Sequence, residues 1–243
     1  EDVAASPIIH PSMTNAYRED RLEGLVPQLG EGIGSLWTDL NVRVKSGDGY
    51  VKTGQTSALK NLNPVSVTDS NEFKELRMIY DRLIQDGPDG SIGPWAATSI
   101  KALDSTTIDI TLREGMKFHD GKPVTVEDVK FTFEYFTKWK APFFISSLEK
   151  FKSINITGRN TIQIKLVAPH APLMINFFAQ IFIIPKHIWQ DIPEKAGVDD
   201  VLNFANENPI GSGAFRFDYW DRGKELKVSA NKAHFNAPKW AGI

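Results

Sequence analysis

Phe118-His119-Asp120-Gly121-Lys122-Pro123-Val124-Thr125-Val126-Glu127-Asp128-Val129-Lys130-Phe131-Thr132-Phe133 is the most informative stretch of this chain. It opens on a turn, because Asp120-Gly121 and the proline at 123 break any regular element. Thr125 is placed to cap a helix, and Glu127 and Asp128 put negative charge in its first turn, where the helix dipole favours it. Val129, Phe133 and Phe136 form one apolar stripe, and Phe131, Tyr135 and Trp139 form a second at i, i+4, i+8. This spacing predicts a helix from about Val126 to Trp139 that is buried on two sides. Pro142 stops it.

Working outward, Ile108, Ile110 and Leu112 alternate with polar residues and predict a strand over 107–112. Upstream, Phe73, Leu76, Tyr80 and Leu83 share a helical face, so a helix capped by Ser70 is expected to run to about Leu83. Asp86-Gly87-Pro88-Asp89-Gly90 is a double turn signal. Downstream, 153–156 and 161–167 flank Gly158-Arg159-Asn160 and read as a hairpin. A mostly apolar helix-like segment around 172–179 leads into 181–184. A second hairpin is written as 214–220, Asp221-Arg222-Gly223, then 225–230. Intermixed strands and helices predict an α/β or α+β fold. Residues 1–53 are weakly periodic and glycine-rich, with Gly30, Gly32 and Gly34 in one run.

The bulk properties narrow the function classes. In 243 residues, 28 Lys+Arg face 30 Asp+Glu, a net charge of −2 that leaves no excess of basic residues for nucleic acid. There are no cysteines, which removes disulfides, thiolate zinc sites and cysteine nucleophiles. The longest apolar run, 173–184, is interrupted by Asn176 and Gln180 and is too short for a bilayer helix of ~20 residues. The start, Glu1-Asp2-Val3-Ala4, has neither a basic nor an apolar region, so no signal peptide is expected.

Candidate chemistry is sparse. His119-Asp120 offers an imidazole beside a carboxylate, but adjacent residues of a strand point to opposite faces, and Asp120-Gly121 reads better as a turn. The five histidines, His10, His119, His170, His187 and His234, include no i, i+4 pair for a zinc site. Gly30-Glu31-Gly32-Ile33-Gly34 lacks dinucleotide-loop spacing, and Gly211-Ser212-Gly213 lacks that of a nucleophile elbow. No metal, no catalytic residue and no cofactor is expected. The remaining surplus is aromatic: Phe143-Phe144 after Pro142, Trp95 after Pro94, and Trp220 at a strand end.

One ordered series of segments carries a resemblance. Ile79-Tyr80-Asp81-Arg82-Leu83-Ile84 precedes Gly93-Pro94-Trp95-Ala96-Ala97. Leu112-Arg113-Glu114-Gly115-Met116-Lys117 then runs into the stretch quoted above. Ile184-Pro185-Lys186-His187-Ile188-Trp189 and Pro209-Ile210-Gly211-Ser212-Gly213-Ala214-Phe215-Arg216-Phe217 follow. Over residues 54–243 this order resembles the family 5 extracellular solute-binding proteins, the dipeptide and oligopeptide receptors of ABC importers. The resemblance implies a periplasmic-binding-protein-like type II fold: here one lobe with an appended subdomain, the second lobe largely missing. It also implies a monomeric receptor, periplasmic or extracellular, that captures a small solute such as a peptide and docks on a membrane permease. No enzymatic step is implied; the alternative reading is a secreted hydrolase using His119 and nearby carboxylates.

By position, the resemblance assigns ligand binding to the loop holding Thr56, Ser57 and Ala58, and to Phe143 and Phe144. The second-lobe carboxylate that often meets a peptide amine has no counterpart here. Residues 1–53 form an N-terminal arm. Within it, Leu22-Glu23-Gly24-Leu25-Val26 and Ser35-Leu36-Trp37-Thr38-Asp39-Leu40-Asn41 resemble the family's C-terminal return segment. The other reading of the arm is an unrelated linker.

Overall fold

A computed structural model describes residues 15–47, 49–55, 57–195 and 200–243. In chain order its elements are β1 (Leu22–Glu23), α1 (Leu36–Asn41), β2 (Arg43–Val44), α2 (Ser70–Ile79), β3 (Ile84–Asp86), β4 (Ile92–Pro94), β5 (Ala97–Ala102) and β6 (Thr107–Leu112). They continue with α3 (Val126–Lys138), α4 (Ile145–Leu148), β7 (Phe151–Gly158), β8 (Thr161–Leu166), α5 (Lys186–Trp189), α6 (Ile192–Lys195), β9 (Phe215–Asp221) and β10 (Glu225–Ala230).

The largest sheet is antiparallel, in the order β5-β6-β8-β7. Its register places Ile108 opposite Ile164 and Ile110 opposite Ile162, so the isoleucines of β6 and β8 share one face. That face meets α3, whose Phe133 ring lies 5.3 Å from Phe151, 5.0 Å from Phe177 and 6.5 Å from Phe178. The α3 helix begins as expected. The Asp128 carboxylate accepts from both the N–H and the hydroxyl of Thr125, at 2.9 and 2.8 Å. Its other oxygen accepts from the Lys186 N–H at 3.0 Å, which ties the start of α5 to the start of α3. Of the two stripes, Val129, Phe133, Tyr135 and Phe136 are buried, while Phe131 and Trp139 are half-buried.

The α2 helix departs from expectation at both ends. Its cap is Asp69, whose side chain accepts from the Asn71 N–H at 2.8 Å, and Ser70 is already helical. It stops at Ile79, because Tyr80 is extended and the chain beyond is claimed by tertiary contacts. The Asp81 carbonyl accepts from Ile183, and Ala96 and Ala97 donate to Arg82 and Leu83. The loop at 211–213 packs directly on this helix end. A Cβ on Gly211 would lie 2.1 Å from the Ile79 carbonyl oxygen, and one on Gly213 would lie 2.4 Å from that of Met78. Residues 174–178 form a π-helical turn rather than an ordinary helix, with Phe177 and Phe178 buried.

The described part of the N-terminal arm is built into the same core. Leu36, Leu40 and Val42 join the central hydrophobic cluster. Arg77 of α2 pairs with Glu31 at 2.6 Å and donates to the Gly34 carbonyl at 2.9 Å. The Trp37 indole N–H donates to the Asp86 carbonyl, and the Trp240 indole N–H to that of Asp39. Among the described residues no helix is long and apolar enough to cross a membrane.

Candidate functional site

The loop after Val51 runs along one face of α2. Asn71 Nδ2 donates to Ser57 Oγ at 2.7 Å, and the Gln55 amide donates to Glu75. Asn71 and Glu75 are four residues apart, hence stacked on one helix face, and they hold the loop at two points. Glu72 adds a third anchor by accepting from the N–H groups of Lys60 and Asn61 at 3.0 and 3.3 Å. Asn63 then fixes the exit. Its amide donates to the Val201 and Phe204 carbonyls, both at 2.8 Å, and its oxygen accepts from Val65.

Between this loop and the β9–β10 hairpin lies a cavity of about 640 Å³. Ser57 and Ala58 border it together with Glu75, Tyr219, Trp220 and Lys227. Thr56 lies outside the described residues. Phe143 does not border this cavity. Its exposed ring packs on Phe73 of α2 at 5.6 Å, and Phe73 is two residues from Asn71, on a different side of the helix. Phe144 is fully buried against Phe136 and Phe177, so it is a core residue that supports Phe143. The structure thus places the two predicted segments on different faces of one helix rather than in one pocket.

Glu75 is the residue that the sequence hid. On a helix rich in charge it reads as a solvated side chain, yet it is buried beside the cavity. Burial, reinforced by the neighbouring Asp39 charge, raises its pKa to about 7. Burial likewise raises Asp39 to about 6, against the pull of Arg77 and Lys74. No pattern of spacing announces this pair, because Asp39 belongs to α1 and Glu75 to α2.

His119 does the work of a strut. Its Nε2–H donates to the Gly213 carbonyl at 3.0 Å, and Nδ1 faces the Gly211 N–H at 3.4 Å. Burial lowers its pKa to about 4, so it is neutral at pH 7. Asp120 pairs instead with His187 at 2.7 Å, and Asp81 with His234 at 3.0 Å and the Trp95 indole at 2.7 Å. The hydrolase reading therefore finds no support, since both His119 nitrogens are occupied by backbone groups. Among the described residues no three His, Asp or Glu side chains gather to hold a metal.

The four-stranded sheet, the buried α3 and the cavity-bordering loop define a partial lobe of a type II periplasmic-binding protein. The profile of the bacterial extracellular solute-binding proteins, family 5 middle, matches residues 91–243, and the chain belongs to that family. It is 31% identical over 175 residues to the oligopeptide-binding protein AppA of Bacillus subtilis, covering 71% of this chain and 32% of that one. It is 29% identical over 185 residues to the probable D,D-dipeptide-binding periplasmic protein DdpA of Escherichia coli, covering 73% and 35%. The solved structure of the Bacillus subtilis AppA with a nonapeptide superposes with a TM-score of 0.69 at 28% identity, over 78% of this chain and 38% of that one. The chain spans about a third of the length of the curated relatives it matches.

Proposed function

We propose that this chain is part of the substrate-binding component of an ABC importer, capturing a peptide or another small solute in the periplasm or at the cell exterior. It acts as a monomer, carries out no chemistry, and passes the solute to a membrane permease. The observation that carries this reading is the family match over residues 91–243, joined to a cavity bordered by Ser57 and Ala58. Gln55, Ser57 and Ala58 border that cavity, and main-chain groups there are of the kind that hold an extended peptide by strand addition. Ser57, Ala58 and the undescribed Thr56 are assigned to the solute, and Phe143 supplies an apolar contact on the far side of α2.

The N-terminal arm completes the lobe in the manner of a return segment. Support comes from Leu36, Leu40 and Val42 within the shared core and from the Trp240–Asp39 hydrogen bond.

Mass spectrometry of small molecules retained through native purification identifies the solute, and calorimetry then measures its affinity. Ser57→Trp should weaken binding about tenfold or more by filling the cavity, and Phe143→Ala by about threefold. Unchanged affinity in both variants would refute the assignment. Affinity for the isolated chain is expected to be low, because ordering a solute costs the same however few contacts repay it.

A further inference from the structure

We propose that the cavity between the turn after β6 and the segment after β10 binds a compact, multiply charged anion bearing phosphate or carboxylate groups, through Arg113, Lys117 and Arg216. This cavity measures about 340 Å³ and shares no lining residue with the one at Ser57. It is independent of the solute site proposed above.

Three cationic side chains line one small space, and among the described residues none of them forms an ion pair with a carboxylate. The one carboxylate on the wall, Glu114, accepts from the side chain of Asn160. The space therefore carries a surplus of positive charge, and concave low-dielectric walls strengthen its field.

Geometry adds preorganisation. The Arg113 Nε–H donates to the Trp95 carbonyl at 3.1 Å, and its guanidinium lies 4.2 Å over the Phe235 ring. Those two contacts fix the plane of the guanidinium, and among the described residues its terminal nitrogens make no further hydrogen bond. A planar guanidinium so held matches the oxygens of a carboxylate or phosphate. Arg216 is steadied by Asn231 at 3.4 Å.

Ser212, on the same wall, is 2% exposed, and among the described residues its buried hydroxyl has no hydrogen-bond partner. A buried hydroxyl without a partner is costly, and rotation of this side chain into the cavity would let a bound anion accept from it.

The test is a titration of the whole chain with inorganic phosphate and with citrate, each against sodium chloride at matched ionic strength. The readouts are tryptophan fluorescence, to which Trp95 contributes from 5.1 Å away from Phe235, and melting temperature. The expected result is a saturable response to phosphate, citrate or both, at concentrations at least about tenfold below any effect of chloride. Phosphate alone would identify a phosphoryl ligand, citrate alone a carboxylate, and both a site selective for charge.

Lys117→Gln combined with Arg216→Gln should weaken binding about tenfold or more while leaving the melting temperature in chloride unchanged, since both side chains are exposed. Ser212→Ala should lose roughly threefold in affinity with no loss of melting temperature in chloride, because the hydroxyl has no partner among the described residues to lose. A response no better than chloride, or equal binding by wild type and the double variant, would overturn the proposal.

Discussion

Phe133 shows what a single side chain contributes when aromatic rings enclose it. Its contacts with Phe151, Phe177 and Phe178 join α3 to β7 and to the π-helical turn. Phe133→Ala should cost roughly 3–5 kcal/mol in denaturant unfolding, as large buried aromatics do. Gly211 works in the opposite sense, through what it lacks. Its would-be Cβ meets backbone oxygen at 2.1 Å, and backbone cannot step aside as a side chain can. Gly211→Ala should cost about 3 kcal/mol or more, and a melting temperature equal to wild type would show that the loop can shift freely. The burial of Phe133 was legible from the helical period. The need for glycine at 211 was not, because the obstructing oxygen belongs to Ile79, more than a hundred residues away in sequence.

At the scale of elements, the α1–α2 contact and the His119 strut respond oppositely to acid. His119 has a folded pKa of about 4, below the ordinary imidazole value of 6.5, so the unfolded chain binds the extra proton between these values. Its stabilising contribution is complete above pH 6.5 and is lost as pH falls towards 4. Asp39 and Glu75 have folded values of about 6 and 7, above their ordinary 3.8 and 4.5, so there the folded chain binds the extra protons. Their burial costs stability at neutral pH and is relieved on acidification. The two trends oppose each other between about pH 4.5 and 6.5. Glu75→Gln should therefore raise stability at pH 7.5 and steepen the loss on acidification, whereas His119→Asn should make the protein gain stability as pH falls from 7 to 5. Urea unfolding at four pH values separates these slopes, and parallel curves for wild type and both variants would refute the assignment. These elements were readable at their strongly patterned places: β6, α3 and both hairpins lie where period and turn residues put them. The end of α2 did not, since Tyr80 and Leu83 continue its apolar pattern while backbone pairing with Ile183, Ala96 and Ala97 pulls the chain into an extended course.

Across the whole molecule, one hydrophobic cluster runs from Leu36 to Trp240. The chain should therefore unfold as one cooperative unit, with far-ultraviolet dichroism and tryptophan fluorescence tracing coincident urea transitions. Because Leu36, Leu40 and Val42 share that core, deleting residues 1–44 should lower the melting temperature by many degrees and expose dye-binding apolar surface. A truncated chain that melts like the intact one would reduce the arm to a linker. Ser57 and Ala58 face the β9–β10 hairpin, while Phe143 rides on Phe73 around the helix, so the site is spread over α2 rather than gathered in one pocket.

Features that depend on neighbours within about four residues were legible in the amino-acid order: the capping of α3 by Thr125 and Asp128, the alternation of β6, the tight turns, and the family resemblance written into 112–133. Those features rest on dihedral preferences and side-chain periods, which act locally. Long-range packing alone makes His119 brace a glycine loop, pairs Asp120 with His187, buries Phe144 while leaving Phe143 exposed, and brings the Asp39 charge to bear on Glu75. Each of these depends on which distant segment comes to lie alongside. Burial, which sets both the pKa of a carboxyl and the exposure of a ring, is a property of that packing and not of the residue's own neighbourhood in the chain.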